Sequence, residues 1–368
     1  MRIVRIDAFQ VRWEPEETPG QRSAFVRVET DDGLVGLGEA SPMQGGVASL
    51  AIIKHHLVPE LIGKDPLDHA VLHDQLLHRF VKLGPEGALS GALAAIDIAL
   101  WDLKGKLTGL PIFKLIGGAW RTAVPFYASI GGNGERSLDD VLRVVETRLN
   151  DRPAAVKIRF DNDRTHLDAD IPGDIAKARA VRKLVGDAMP LAFDANNGYT
   201  SGGAIRVGRA LEELGYWWFE EPVQHYHVRA MGAVARTLDI TVSAGEQTYT
   251  LAGLAELIGA GVRMVQPDLV KMGGITGMLR CAALAQAHGV ELVPHQTQPT
   301  IGHMANLHVL AAQLHGAKPA EWNDPSPRTH AVFANPPRPV EGLFHLPDGP
   351  GLGLIVKDAA LTERRIVL

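Results

Sequence analysis

The sequence predicts an α/β protein: a parallel β/α barrel over residues 121–339, preceded by an α+β segment over residues 1–120. Three observations predict this. After about residue 120, eight short apolar strands alternate with helical stretches. Most of those strands end in a polar, chemically capable residue at near-constant spacing. The first 40 residues behave differently, alternating with period two as antiparallel strands do.

The N-terminal strands read as RIVRIDAFQVR, SAFVRVET and LVGLGEA, the last two joined by the turn signal DDG. WEPEETPGQ (13–21) separates the first pair and is rich in Pro and Glu, so it reads as a loop. From about residue 47 the pattern becomes helical. Its clearest helix is LSGALAAIDIALWDLKGKLTG, stopped by Gly109-Leu110-Pro111. Asp97 and Asp102 in it read as buried hydrogen-bonding groups of a packed helix rather than as catalysts. The barrel strands follow as VPFYASI, AAVKIRF, MPLAFDA, YWWFEE, ITVSAGE, VRMVQPD, VELVPHQ and PAEWND. Residues 340–368 are rich in Gly and Pro and end in LTERRIVL, which is expected to return to the N-terminal strands.

Composition narrows the function. With 368 residues, 46% hydrophobic and 21% charged, the chain is ordinary globular material. A net charge of −5 and a pI near 6.3 give no footing for nucleic acid or an anionic membrane. The single cysteine, Cys281, excludes an intrachain disulfide and a thiolate cluster, and its helical setting makes it a core residue. MRIVRIDAFQVR reads as a strand and not as a leader, and no apolar run suits a membrane span, so a cytoplasmic enzyme is expected.

Chemistry enters through the strand ends. Asp194, Glu220, Glu246, Asp268, His295 and Glu321 follow one another at intervals of 26, 26, 22, 27 and 26 residues. That is the length of a βα unit, so all six come to the carboxyl-terminal rim, where barrels of this kind carry active sites. Asp194, Glu220 and Glu246 converge from consecutive strands. Three such carboxylates repel unless a cation joins them, and all-oxygen ligation suits Mg²⁺. In WWFEEP, strand parity turns Glu220 inward above Trp218, turns Trp217 and Phe219 toward the helices, and sends Glu221 away or onto the next loop. An aspartate beside a histidine orients the ring and raises its pKa, so Asp268 and His295 make a general base and acid. His295 stands out among 15 histidines by its place in this ladder. On the second barrel strand, Lys157 and Arg159 share one face, and two cations beside a cation-binding trio describe a site for a small anionic substrate.

The motifs AAIDIALWDLKGKLTGLP, FDANNGYT, WFEEP, AGEQ, QPDLVKMGGIT and VPHQ together resemble the enolase superfamily, in its mandelate racemase subgroup, over nearly the whole chain. The resemblance implies a modified (β/α)7β TIM-type barrel. It also implies an N-terminal α+β capping domain that the chain's C-terminal stretch completes. It assigns Asp194, Glu220 and Glu246 to one Mg²⁺ per subunit, Asp268 and His295 to a catalytic dyad, and Glu321 to a donor near the substrate carboxylate. It further implies a homo-oligomer. The glutamate in AGEQ and Asp268 in place of a catalytic lysine select the subgroup; Lys271 is out of that register and takes no such role. One position departs from the best-known pattern. Racemases of the group carry Lys-x-Lys on the second strand, and here the second position is Arg159, a guanidinium that stays protonated and makes a poor base. Lys157 is then expected to neutralise developing charge, leaving His295 as the one convincing base.

A single base suits an acid-sugar dehydratase: abstraction of the proton α to a carboxylate, then loss of the β-hydroxyl to give a 2-keto-3-deoxy acid. The alternatives are a racemase, epimerase or cycloisomerase on a related acid or lactone, and a non-catalytic binding protein on the same barrel. By analogy, segments 13–22 and 43–46 form lids, and Arg22, Gln44 and Asn196 are candidate substrate-binding residues. His166, in the insertion 160–174, reads first as a solvated loop residue.

Overall fold

Strands β1 (Ile3–Arg12), β2 (Arg22–Thr30) and β3 (Val35–Ala40) form an antiparallel sheet. The structure, a computed structural model, describes residues 1–13, 22–160, 163–313, 318–323 and 329–366. The helix Ala88–Thr108 lies across the sheet. β3 approaches it so closely that a Cβ at Gly38 would stand 1.8 Å from the Ala95 carbonyl oxygen, and one at Gly36 would stand 2.1 Å from that of Ala99. The alternating glycines of VGLG are therefore what lets strand and helix backbones touch. Ala24, Val26 and Val28 meet Leu93, Ile96, Leu100 and Leu103 in the core between them.

Eight parallel strands build the barrel: β4 (Ala123–Ile130), β5 (Ala155–Arg159), β6 (Leu191–Asp194), β7 (Trp218–Glu220), β8 (Thr241–Ala244), β9 (Met264–Val265), β10 (Glu291–Leu292) and β11 (Ala320–Trp322). Their order is β11-β4-β5-β6-β7-β8-β9-β10, every neighbour parallel. A helix crosses over between each successive pair, which gives the (β/α)7β pattern. At the seam between β10 and β11, no strand ladder forms among the described residues; side chains bridge it, with Gln296 N donating to Glu321 Oε2 at 2.9 Å and Asn323 Nδ2 donating to the Gln296 carbonyl. A further strand, β12 (Leu343–His345), pairs antiparallel with the start of β4 and was not predicted, because three residues carry too little pattern. β13 (Arg365–Ile366) pairs with Gln10 and Val11 of β1, so the C-terminal stretch does return to the first sheet.

Two acids of the long helix dock the layers. Asp97 Oδ2 accepts from Thr276 N at 2.9 Å in the first turn of the helix Gly274–Ala287. Asp102 accepts from Leu37 N at 3.0 Å, Leu352 N at 2.9 Å and Lys106 Nζ at 2.7 Å. Both are buried hydrogen-bonding groups, as the helical pattern predicts.

The barrel interior is stoppered below the rim by Tyr127 and Trp218, whose rings meet edge to face at 5.2 Å among Ala155, Ala192, Met264 and Val293. Phe219 faces outward into the helical core, as parity predicts. Trp217 does not: it precedes β7, packs on the interior cluster and carries Lys318 Nζ over its ring at 4.1 Å.

Candidate active site

Parity places two rows of side chains on the inner wall. Ladder pairing sets Arg159, Asp194, Glu220 and Ser243 side by side, with Lys157, Ala192, Trp218 and Thr241 one layer below. Lys157 extends upward from the lower layer. Its Nζ donates to Glu220 Oε1 and Oε2 at 2.8 and 2.9 Å and stands 2.9 Å from Glu321 Oε1 and 3.5 Å from Asp194 Oδ2. Burial pulls this amine down, but Glu220, Glu321, Tyr127 and Asp194 outweigh it and hold the pKa well above the usual lysine range. Glu220 is further fixed by Trp218 Nε1 at 3.1 Å and Gln266 Nε2 at 3.0 Å, both donating to Oε2. Gln266 was missed in the sequence, although it lies two residues before Asp268 and so shares its face.

Asp268 and His295 meet as predicted, forming a backbone bridge and a 2.8 Å hydrogen bond from His295 Nδ1 to Asp268 Oδ2. Asp268 Oδ1 accepts from Val270 N at 3.0 Å, which fixes the carboxylate plane. The other ring nitrogen, Nε2, lies 2.7 Å from Glu246 Oε2. Burial lowers the imidazole pKa; Glu246, Glu321 and the Asp268 hydrogen bond overcome this and push it up to about 10. Burial likewise raises Glu246, yet His295 and Lys271 hold it well below the carboxylate range. Lys271, given no role by its register, lies within the cluster: its Nζ donates to the Glu246 carbonyl at 3.1 Å and stands 3.6 Å from Asp268 Oδ2.

Glu321 differs from its sequence-based role as a donor. Burial pushes it up, but Lys157 and His295 pull it down to about 2, so in this arrangement it is an acceptor, taking the Gln296 amide at 2.9 Å. Glu221 lies just past the end of β7, on the following loop, one of the two placements that parity allows. Its backbone takes φ of 39°, an unusual left-handed value for a side-chain-bearing residue, and its carboxylate is buried, accepting from Gln247 Nε2 at 3.0 Å and from Asn197 Nδ2. Burial and the neighbouring Glu246, Asp194 and Glu220 drive its pKa well above the carboxylate range.

Of the substrate-binding candidates, Asn196 touches this cluster through its backbone, its N donating to Asp194 Oδ1 at 2.8 Å. Asn196, at φ of 46°, has its side-chain oxygen engaged by Arg164 Nη2 and its carbonyl by Arg164 Nε at 3.1 Å. Arg22 Nη1 donates to Gln10 Oε1 at 2.9 Å, and Gln10 Nε2 donates to the Gly45 carbonyl at 2.6 Å. This chain joins the root of β2 to the turn Met43–Gly46, where Gln44 is exposed. His166 pairs with Asp163 at an exposed position. Of the 13–21 loop, residues 14–21 lie outside the described residues.

The donor set suits a hard divalent cation. Asp194, Glu220, Glu221, Glu246, Asp268 and Glu321 are all buried. The cationic groups among them are Lys157, Arg159, Lys271 and His295 when protonated. Asp194 is raised well above its usual range by burial and Glu220, and its Oδ2 is buried without a hydrogen bond. As the side chains stand, no three acids or imidazoles among the described residues are grouped to chelate an ion; Lys157 lies among Asp194, Glu220 and Glu321, and His295 engages Glu246.

A barrel of this topology, capped by an α+β sheet and carrying carboxylates and an Asp–His pair on its carboxyl-terminal rim, defines the class as an enolase-type protein. Residues 12–117 match the family described as mandelate racemase / muconate lactonizing enzyme, N-terminal domain, and residues 140–360 match the enolase C-terminal domain-like family. The chain belongs to this family, in the mandelate racemase subgroup of the enolase superfamily. It is 35% identical over 357 residues to D-galactarolactone cycloisomerase of Agrobacterium fabrum, covering 93% of this chain and 91% of the relative. It is 32% identical to arabinonate dehydratase of Saccharolobus solfataricus, covering 91% and 88%. A mandelate racemase/muconate lactonizing protein from Paracoccus denitrificans, crystallised in complex with magnesium, superposes with a TM-score of 0.96 at 62% identity, covering 100% and 99% of the two chains. The protein is thus an enzyme of the acid-sugar dehydratase and cycloisomerase group. No helix among the described residues is long and apolar enough to cross a membrane.

Proposed function

We propose that the protein is a Mg²⁺-dependent acid-sugar dehydratase in which His295 is the base. The observation that carries this reading is the pairing of His295 Nδ1 with Asp268 at 2.8 Å, with no second free base on the facing strand. Lys157 there is held protonated by Glu220 and Glu321, and the other position is Arg159. Asp268 holds the Nδ1–H, and in the neutral ring Nε2 would take the proton α to the substrate carboxylate once Glu246, which now engages Nε2 at 2.7 Å, turns from it to the metal. The same ring, now protonated, gives its proton to the departing β-hydroxyl, so that water leaves and the enol becomes a 2-keto-3-deoxy acid. Lys157 supplies positive charge beside the developing enediolate. Asp194, Glu220 and Glu246 would hold the metal, which supplies Lewis-acid stabilisation of that charge when bound. Glu321 pairs with Lys157 and holds the Gln296 amide. Arg22, Gln44 and Asn196 are assigned to the substrate's distal hydroxyls once the segments around them close.

Replacing His295 by Asn abolishes both turnover and exchange of the substrate α-proton with deuterium oxide; full exchange in that variant would move the base role to Lys157. A second reading, cycloisomerisation of a sugar lactone, is favoured by the Agrobacterium relative. Product NMR over a panel of acid sugars and lactones separates the two: a lost hydroxyl and a new ketone mean dehydration, retained composition means isomerisation. Absence of Mg²⁺ binding together with absence of turnover would leave only a binding protein.

A further inference from the structure

A carboxylate of the capping sheet is also sealed near the dyad. Glu39, the fifth residue of β3, is fully buried. Its Oε2 accepts from Gly302 N at 2.8 Å, in the first turn of the helix Ile301–Ala312 and 263 residues away in sequence. That helix does not cap itself. Thr300 precedes it with φ of −138° and ψ of −94°, and its side chain makes no capping hydrogen bond. The acceptor that a helix start requires comes from the other domain.

The same turn is wedged between the two loops that carry the dyad. A Cβ at Gly302 would stand 2.9 Å from Val270 Cγ1 and 3.0 Å from Gln298 Cβ. Val270 N is hydrogen-bonded to Asp268 Oδ1 at 3.0 Å. Gln298 lies three residues after His295, and Gln296 between them is tied to Glu321. A shift of the first turn therefore presses on the Asp268 loop from one side and on the His295 loop from the other. On the capping side, β3 is paired to β2, where Ser23 accepts from Trp13 Nε1 at 3.1 Å.

We propose that Glu39 is a positioning residue: by pinning the first turn of the helix Ile301–Ala312 from the capping sheet, it holds Asp268 and His295 in alignment, so that seating of the cap and alignment of the dyad are one event. The proposal rests on the reading of Asp268 and His295 as the proton-transfer pair. It explains why an acid is buried where the helix start could have used its own Ser, Thr or Asp.

Two conservative variants separate reach from charge. Glu39→Asp keeps the charge but withdraws the carboxylate by about 1.5 Å, one carbon–carbon bond. Glu39→Gln keeps the reach and an oxygen acceptor but loses the charge. In Glu39→Asp, the Gly302 amide exchanges with deuterium about tenfold faster. Its kcat falls about tenfold or more with KM within about twofold, as a misaligned base requires. Glu39→Gln stays within about threefold of wild type in both. Unchanged exchange at Gly302 in Glu39→Asp overturns the contact; faster exchange with unchanged kcat overturns the positioning role. A loss in Glu39→Gln equal to that in Glu39→Asp shows that buried charge matters and not reach, which also overturns it. If wild type turns over no acid sugar or lactone, the functional reading has failed on its own. The His295 Nδ1–H proton resonance then decides the inference without substrate: displaced in Glu39→Asp and retained in Glu39→Gln if Glu39 positions the ring, identical in both if it does not.

Discussion

Lys157 Nζ lies 2.8 and 2.9 Å from the two oxygens of Glu220, with both side chains sealed from solvent. One ammonium thereby serves the middle acid of the proposed metal trio, with Glu321 and Asp194 also in reach. Replacing Lys157 by Met leaves those acids without the ammonium they share, at a cost of about 3–5 kcal/mol for a broken buried pair. A divalent ion would offset that loss. In EDTA, Lys157→Met should melt well below wild type, and Mg²⁺ should raise its Tm by more than it raises the wild-type value. Calorimetric melts with and without Mg²⁺ check this, and an equal response to Mg²⁺ in both proteins would sink it.

The paired acids of WWFEEP divide into an inward strand end, Glu220, and a loop residue, Glu221. Glu220 is held from the barrel interior by Lys157, Trp218 and Gln266, whereas Glu221 is held by Asn197 and Gln247. Glu220→Gln should lose Mg²⁺ binding and activity together. Glu221→Gln should weaken the metal by about 10–100-fold, as the loss of a supporting group does. Isothermal titration with Mg²⁺ ranks the two, and the reverse order would show that Glu221 is the ligand.

The barrel could be read from the sequence because its strands are short, apolar and regularly spaced, and because their polar ends share one rim. Asp194, Glu220, Asp268, His295 and Glu321 fall where that spacing puts them. Charge state could not be read that way. Glu321 becomes an ionised acceptor because Lys157 reaches it from 164 residues earlier in the chain, a contact that follows from barrel closure and not from local pattern. Glu39 stands one residue before the end of its strand in GLGEA, but that strand belongs to the other sheet, outside the ladder of barrel strand ends. For Glu221 two placements stayed open in the sequence, because parity stops applying where the strand ends and φ turns positive.

Asp102 joins three elements through a single carboxylate, accepting from Leu37 N in β3, Leu352 N near the C-terminal stretch and Lys106 Nζ one helical turn on. Asp102→Ala leaves two buried amides and an ammonium without their acceptor, each costing about 1–3 kcal/mol before relaxation. A net loss of about 3 kcal/mol is expected in urea unfolding, with the slope unchanged. A loss under about 1 kcal/mol would mean that water replaces the carboxylate.

His308 should give the protein an acid-sensitive core independent of the active site. Its ring is fully buried and stacked on Phe113 at 5.8 Å. Phe113 N donates to Nδ1 at 3.3 Å, so the neutral ring carries its proton on Nε2 and donates it to the Leu352 carbonyl at 3.2 Å. Protonating Nδ1 destroys the first bond and buries a charge. Burial therefore lowers the pKa to about 4, with the Leu352 carbonyl opposing only in part. The unfolded chain, with a histidine pKa near about 6.5, binds more protons than the folded one between those values. Stability from this group is complete above about pH 6.5 and falls as pH drops toward 4, by about 2 kcal/mol at pH 5. His308→Gln, with a neutral side chain, should be less stable at pH 7.5 but lose less between pH 7.5 and 5. Urea midpoints at both pH values measure this directly. Equal losses in wild type and variant would show that His308 titrates in the folded protein as it does in the unfolded chain.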